Sequence, residues 1–402
     1  MTLQEAFAIC AKKAHVHMEN MNGTSLEPRE SRSGAYYDER EKMTPLSNRW
    51  TWTNSFITGM APILYQTEND KKALAWANQF EQAYHDKVFA LYSQSMHDLG
   101  FLYLPYSVHM YQLTGSHAHR DTALRAADEL AKRFDVKGRY IEAWSEMNTF
   151  EKEHRMIVDS SMNVPLLFWA WKETGHTFYH DVAVAHLETI ISTLVREDGS
   201  VCHAYFMDGE TGLPKEEANS CGYANGSHWA RGTGWIVYGL AIAYTYTQNE
   251  HYLTEAIRIA EKYIDSLTGS PVPIWDFRLP ADKPAVICGN VPGFAAHWDE
   301  TKSENTVYNV DTSAAAIMAC ACQLLCLYTE NDRLKNYADS ALCVLSNEYL
   351  DTDTQKAGML RRSNGRDGFT VYGDYYYMLA LAMKLYDVKS CWGFFGSADS
   401  IL

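Results

Sequence analysis

His97-Asp98-Leu99-Gly100-Phe101-Leu102-Tyr103-Leu104-Pro105 places a charged pair directly ahead of an unbroken apolar run. The pattern predicts a helix that opens on an acid and whose body is too apolar for a surface. The same arrangement recurs at Val158-Asp159-Ser160-Ser161-Met162-Asn163-Val164-Pro165 and at Val310-Asp311-Thr312-Ser313-Ala314-Ala315-Ala316. Outward from these stretches, apolar residues return at three- and four-residue spacing near 3–20, 50–66, 70–86, 98–113, 117–134, 159–174, 177–195, 228–247, 250–267, 311–329, 331–347 and 371–387. Every second segment, beginning with 50–66, is apolar nearly all round, as Asp159 to Trp171 and Trp235 to Ala243 show. The others carry one apolar stripe, as in Asp121 to Phe134.

The turns repeat too. Thr67, Thr114, Thr174, Thr247 and Thr329 each close an apolar segment and lead into a short polar or glycine turn. Glycine and asparagine tolerate the left-handed conformation that ends a helix and begins a tight helix-to-helix turn. The return connections are longer: 87–97, 135–158, 196–227, 268–310 and 348–370. Six buried helices alternating with six amphipathic ones predict an inner ring inside an outer ring, folded as one domain over residues 1–402. The short turns then share one end, and the long loops share the other with the inner-helix starts. Within 196–215, Asp198-Gly199 and Asp208-Gly209 flank Val201 to Phe206 and predict a small hairpin.

At 402 residues, with 47% hydrophobic and 13% aromatic side chains, the chain can bury a large core. A formal charge of −15 argues against nucleic acid and anionic membrane as partners. An acidic ligand would need local cations to hold it. The N-terminal residues show no basic region and no apolar signal core, and no apolar run is long enough to span a bilayer. The nine cysteines are scattered without a CxxC pair, which fits reduced core thiols in a cytoplasmic protein rather than a zinc site.

The loop-rich end gathers Trp52, His97, Asp98, Asp159, the Trp229-Ala230-Arg231-Gly232 run, Asp311 and Asp374, with Trp144 and His203 above them. Carboxylates transfer protons, indole faces stack on sugar rings, and arginine grips a carboxylate through paired donors. The set suits a carbohydrate, an acidic one included. Taken singly, each aspartate is equally well explained as a helix cap, and each tryptophan as core. Only their common location favours chemistry.

HDLGFLYLP (97–105), DSSMNVPLLFWA (159–170), WARGTGW (229–235) and DTSAAAI (311–317) resemble the unsaturated glucuronyl hydrolases, glycoside hydrolase family 88. The resemblance runs in order from about Trp50 to Tyr386. It implies an all-α fold, an (α/α)6 barrel of six inner and six outer helices. The implied activity is hydrolysis of lyase-generated oligosaccharides, glycosaminoglycan disaccharides above all, that end in a 4,5-unsaturated uronic acid. By the same resemblance Asp159 is the general acid/base and Asp98 the second essential carboxylate. Trp52, His97, Trp144, His203, Arg231 and Trp235 then line the substrate pocket, with Cys221 where the family reads glutamine. Asn225-Gly226 stands where the family has an acidic pair. Both departures bear on fine specificity.

The implied chemistry protonates C4 of an enol ether and adds water at C5, with no metal or organic cofactor. Arg361, Arg362 and Arg366 are expected either to hold a sulfate or carboxylate of the adjoining sugar or to form a solvated cluster. The alternatives are an unsaturated rhamnogalacturonyl hydrolase acting on pectin fragments, an epimerase or isomerase using His97 and His203, and a helical scaffold without turnover. A monomer and a homodimer both fit an acidic outer ring. The aromatic tail Ser390 to Phe395 packs either on the barrel or on a partner.

Overall fold

The computed structural model describes residues 1–145, 152–222, 224–279, 309–365 and 367–395. Apolar content decides which helices turn inward. Every residue of Ala230–Thr247 except the last is buried, and in Thr312–Leu325 only Gln323 is not. Glu250–Asp265, by contrast, buries Tyr252, Leu253, Ala256, Ile259, Ala260 and Tyr263, one stripe at helical spacing. Each aliphatic side chain so buried contributes about 1.5–3 kcal/mol. An all-round apolar helix is therefore stable only with neighbours on every side.

The inner ring comprises six members. They are Ser55–Thr58 with Met60–Glu68, Leu99–Tyr103 continuing to Thr114, Val158–Met162 with Pro165–Thr174, Ala230–Thr247, Thr312–Leu325, and Val371–Tyr386. Each packs against the next, and the sixth packs against the first, so the ring closes. Around it lie Leu3–Asn20, Lys71–Asn78 with Glu81–Phe89, His117–Ala131, Thr177–Leu194, Glu250–Asp265 and Asp332–Val344. This is an (α/α)6 barrel.

The repeated threonines have a definite task. The hydroxyls of Thr67, Thr114, Thr174 and Thr247 donate to the carbonyl four residues back in the ending helix. Those of Thr114, Thr174 and Thr247 also accept the backbone N–H two residues ahead. Asn69, Gly115, Gly175 and Gln248 then adopt left-handed conformations that turn the chain into the next outer helix.

Two inner helices depart from the regular period. Residues Leu104–Val108 form a wide π turn at Pro105, which lacks the N–H an α-helix needs. Val158–Met162 is a tight 3-10 turn ahead of Pro165. The predicted hairpin is present over Ala204–Met207 and Pro214–Ala218, with Arg155–Ile157 as an added antiparallel strand in register Ile157 to Ala204. Near the N-terminus, Glu30–Ser31 pairs with Phe369–Thr370, which no hydrophobic pattern signalled. The tail packs back on the barrel. Trp392 is fully buried with its Nε1–H directed at the Tyr375 hydroxyl, and the Phe394 N–H donates to Thr245.

Candidate active site

All six inner-helix starts open on one cavity of about 370 Å³. The first contributes Trp52 and Thr53, the second Asp98, the third Asp159, the fourth Trp229 and Arg231, the fifth Asp311, and the sixth Thr370 and Tyr372. Loops add Arg29, Trp50, Trp144, His203, Cys221, Trp275 and Asn364. Converging helix starts beneath long loops explain the location.

The three aspartates at helix starts do not share a role. Asp311 caps its helix, accepting from the backbone N–H groups of Ser313 and Ala314. Asp98 stands at the N-cap without accepting a capping hydrogen bond, and Asp159 lies inside the first turn, past the N-cap Ile157. Their carboxylates remain available to the cavity.

Asp98 is buried, and its Oδ1 accepts from Asn163 Nδ2 at 3.2 Å. Burial pushes its pKa up to about 8, the Asp159 charge adds to that, and the Asn163 amide and Arg133 oppose it. Burial likewise raises Asp159, to about 6, against the pull of Arg231. Its Oδ2 is buried without a hydrogen bond and lies 3.7 Å from His203 Nε2. The Ser220 N–H donates to His203 Nδ1 at 3.1 Å, so the ring proton sits on Nε2, towards Asp159. Burial holds His203 neutral, with its pKa lowered to about 3, and the charges of Arg155 and Arg231 act in the same sense.

Across the cavity, Arg231 donates from Nη1 to Asp311 and from Nη2 to Asn364 at 2.6 Å. Its guanidinium lies 4.6 Å from the Trp229 ring centroid and 5.3 Å from that of Tyr372. Burial opposes this charge, but Asp311, Tyr372, Cys221 and Asp159 together outweigh it and hold the arginine pKa above its ordinary value. Trp52 stacks on Tyr372 at 5.0 Å, and Trp144 lies under Arg155 at 4.0 Å. Arg231 and Arg29 are the cations among the described lining residues.

Of the residues expected from sequence, Asp98, Asp159, Trp52, Trp144, His203, Cys221 and Arg231 line the cavity. Trp235 and His97 do not. Trp235 lies one helical turn below Arg231 and is fully buried against Phe101 and Tyr376, at 5.0 and 5.3 Å. His97 is fully buried behind Asp98, its Nε2 3.5 Å from Oδ1 and its backbone N–H tied to the Ala143 carbonyl. Asp374 also turns away from the cavity, accepting from Tyr36 and the Leu360 N–H at 3.0 and 2.8 Å.

In the basic loop it is Asn364, not Arg361 or Arg362, that lines the cavity. Tyr223 and Arg366 lie outside the described residues. Sequence reading missed Tyr372, Trp275, Arg29 and Asn163. Asn163 stands inside the DSSMN motif, and its place four residues after Asp159 was the available signal. Among the described residues no group of three or more His, Cys, Asp or Glu side chains is arranged to hold a metal ion.

The arrangement is a site for proton transfer beside an anion-binding arginine, walled by indoles. Sequence comparison agrees with that chemistry. The Glycosyl Hydrolase Family 88 model matches residues 28–269. The unsaturated chondroitin disaccharide hydrolase of Streptococcus pyogenes serotype M1 is 30% identical over 356 residues, covering 85% of this chain and 83% of that protein. The crystal structure of the unsaturated glucuronyl hydrolase responsible for glycosaminoglycan degradation in Bacillus sp. GL1 superposes with a TM-score of 0.85 at 25% identity, covering 98% of this chain and 100% of that one. A second structure, a UGL variant with dGlcA-Glc-Rha-Glc, matches with the same TM-score, identity and coverage.

Proposed function

The chain belongs to glycosyl hydrolase family 88, and from that premise we propose how its cavity removes a 4,5-unsaturated uronic acid from the non-reducing end of lyase-generated glycosaminoglycan disaccharides. The protein is a glycoside hydrolase. The observation that carries the reading is the pair Asp98 and Asp159: one buried and one half-buried carboxylate that cap no helix and face one cavity.

The unsaturated ring is an enol ether, so its electron-rich carbon is C4. Asp159, with its pKa raised by burial, gives a proton to C4. Positive charge develops on C5 and the ring oxygen, water adds at C5, and Asp159 takes the proton that this water loses. The acid is thereby regenerated. The resulting hemiketal opens to a 5-keto acid, C1 becomes a hemiacetal, and the neighbouring sugar departs as an alcohol.

Asp98 orients the sugar and shares the proton of the pair. Arg231 takes the uronate carboxylate through donors not engaged by Asp311 and Asn364, and Trp52 supplies a stacking face. His203 Nε2–H fixes the approach of Asp159. Cys221 offers a weak thiol where an amide would bond the sugar, which shifts fine specificity.

We take residues 1–402 as one catalytic domain acting in the cytoplasm. We take the protein to act as a monomer or a homodimer. No described helix is long and apolar enough to cross a membrane. The epimerase reading needs two histidine bases, and the burial of His97 removes one of them from the cavity. The relatives carry glucuronyl and chondroitin disaccharide activities, which favours glycosaminoglycan over pectin fragments.

Absorbance of unsaturated chondroitin and hyaluronan disaccharides tests the proposal directly, because hydration destroys the conjugated chromophore. A fall in absorbance with the parent but not with Asp159→Asn is the expected result. A flat trace with the parent on these and on unsaturated pectin fragments would overturn it.

A further inference from the structure

Asn163 is fully buried where the second and third inner helices meet. Its Oδ1 accepts the Phe101 backbone N–H at 2.8 Å. A backbone N–H can only donate, which fixes the orientation of the amide: its two N–H bonds point the other way. They reach Asp98 Oδ1 and the Asp159 main-chain carbonyl, each at 3.2 Å. One side chain thus touches both members of the carboxylate pair.

The approach is close enough to exclude a side chain at Gly100, where a Cβ would lie 2.3 Å from the Asn163 Cα. The Gly100 and Asn163 positions are therefore two halves of one contact.

We propose that Asn163 is the positioning residue of the carboxylate pair: its amide holds Asp98 Oδ1 as an acceptor, favours any Asp98 proton on Oδ2, and ties that carboxyl to the Asp159 backbone. The inference rests on the carboxylate-pair reading above. The unprotonated oxygen of a carboxyl is the stronger acceptor for an N–H, so the amide favours the proton on Oδ2 over Oδ1. The Asp159 charge acts on that carboxyl as well.

Other groups face the pair and act on it. His97 lies beside Asp98 on its own segment, and Arg133 reaches it electrostatically from beyond the end of His117–Ala131. Arg231 and His203 face Asp159 from the fourth inner helix and the hairpin. Among these, Asn163 alone hydrogen-bonds Asp98 through a side chain.

The test compares kcat and KM against pH for Asn163→Asp and Asn163→Leu, using disaccharide absorbance, with folded fraction measured by thermal unfolding. The introduced carboxyl of Asn163→Asp can donate to Asp98 only when protonated. At neutral pH its kcat is expected to fall by about tenfold or more, with KM within about threefold. Activity should recover towards acid pH, which moves the alkaline limb downward. Asn163→Leu should lose kcat at every pH without acid recovery. If the leucine variant does not fold, the isosteric aspartate variant carries the test.

An Asn163→Asp profile that superposes on the parent after correction for folded fraction would overturn the inference. Asp159→Asn separates the two levels. If it retains turnover, the carboxylate-pair reading itself fails. If it abolishes turnover while Asn163→Asp leaves the profile unmoved, only the role of Asn163 fails.

Discussion

Arg231 and Asp311 come from the starts of neighbouring inner helices and form an ion pair shielded from water. The same Asp311 carboxylate caps its own helix and accepts the Asn364 N–H, so one side chain fixes a helix end, a cation and a loop.

Replacing Asp311 with Asn keeps a capping oxygen but removes the charge. Breaking a buried pair from one side leaves the other charge uncompensated and costs about 3–5 kcal/mol. Thermal unfolding of Asp311→Asn should show a loss of that order. The freed Arg231 charge should also bear harder on Asp159, so the alkaline limb of activity moves to lower pH. Unchanged stability and profile would show that the pair has no such role.

Asp159→Asn should reduce turnover by at least about 10³-fold, the scale of a lost general acid/base, while the protein still unfolds cooperatively. For the parent, the direction with pH follows from the raised carboxyls. Burial pushes Asp159 up to about 6 and Asp98 up to about 8. The proton needed at C4 is therefore lost, and kcat/KM declines, as pH rises from about 6 to 8. A profile rising across that window would contradict the assignment of Asp159 as the acid.

Asp374 offers a test of stability apart from the cavity. Burial raises its pKa from 3.8 to about 7, against the backbone donors of Leu360 and Met359, the Tyr36 hydroxyl and the Lys13 charge. An acid whose folded pKa is raised contributes stability fully below its unfolded pKa, and that contribution is lost as pH rises through the folded value. The parent should lose up to about 4 kcal/mol at this residue between pH 4 and 7. Asp374→Asn should flatten that part of the stability curve, as read by denaturant unfolding at several pH values. An equal slope in both proteins would refute the linkage.

Gly100→Ala tests the contact between the second and third inner helices. The added Cβ meets Asn163 backbone atoms at 2.3 and 2.6 Å, and backbone cannot yield as a side-chain tip can. A loss of about 1–3 kcal/mol is expected from such overpacking, with a larger proportional loss of kcat because Asp98 is displaced. Stability and activity both at parental levels would mean that the helices tolerate a wider separation.

The ring of twelve helices was legible because its cause is local. An inner helix needs apolar residues on every face and an outer helix needs one stripe, and both patterns stand in the sequence, as Ala230–Thr247 and Glu250–Asp265 show. The threonine turns were legible for the same reason, since their hydrogen bonds span two to four residues. The end of the barrel that holds Asp98, Asp159 and Arg231 followed from which connections are long.

Direction and depth of side chains were decided only in three dimensions. Trp235 and Arg231 sit four residues apart on one helix, and a single turn of depth puts the indole in the core and the guanidinium in the cavity. His97 and Asp98 are adjacent, yet only Asp98 lines the cavity, because the His97 N–H is tied to Ala143 and its ring lies behind. Whether an aspartate at a helix start serves as a cap depends on where the chain arrives from, which separates Asp311 from Asp98 and Asp159. Periodicity reports the face a residue shares with its neighbours along the chain. Whether that residue meets solvent, core or another helix's carboxylate is set by segments distant in sequence, as the Asn163 bridge between Asp98 and Asp159 shows.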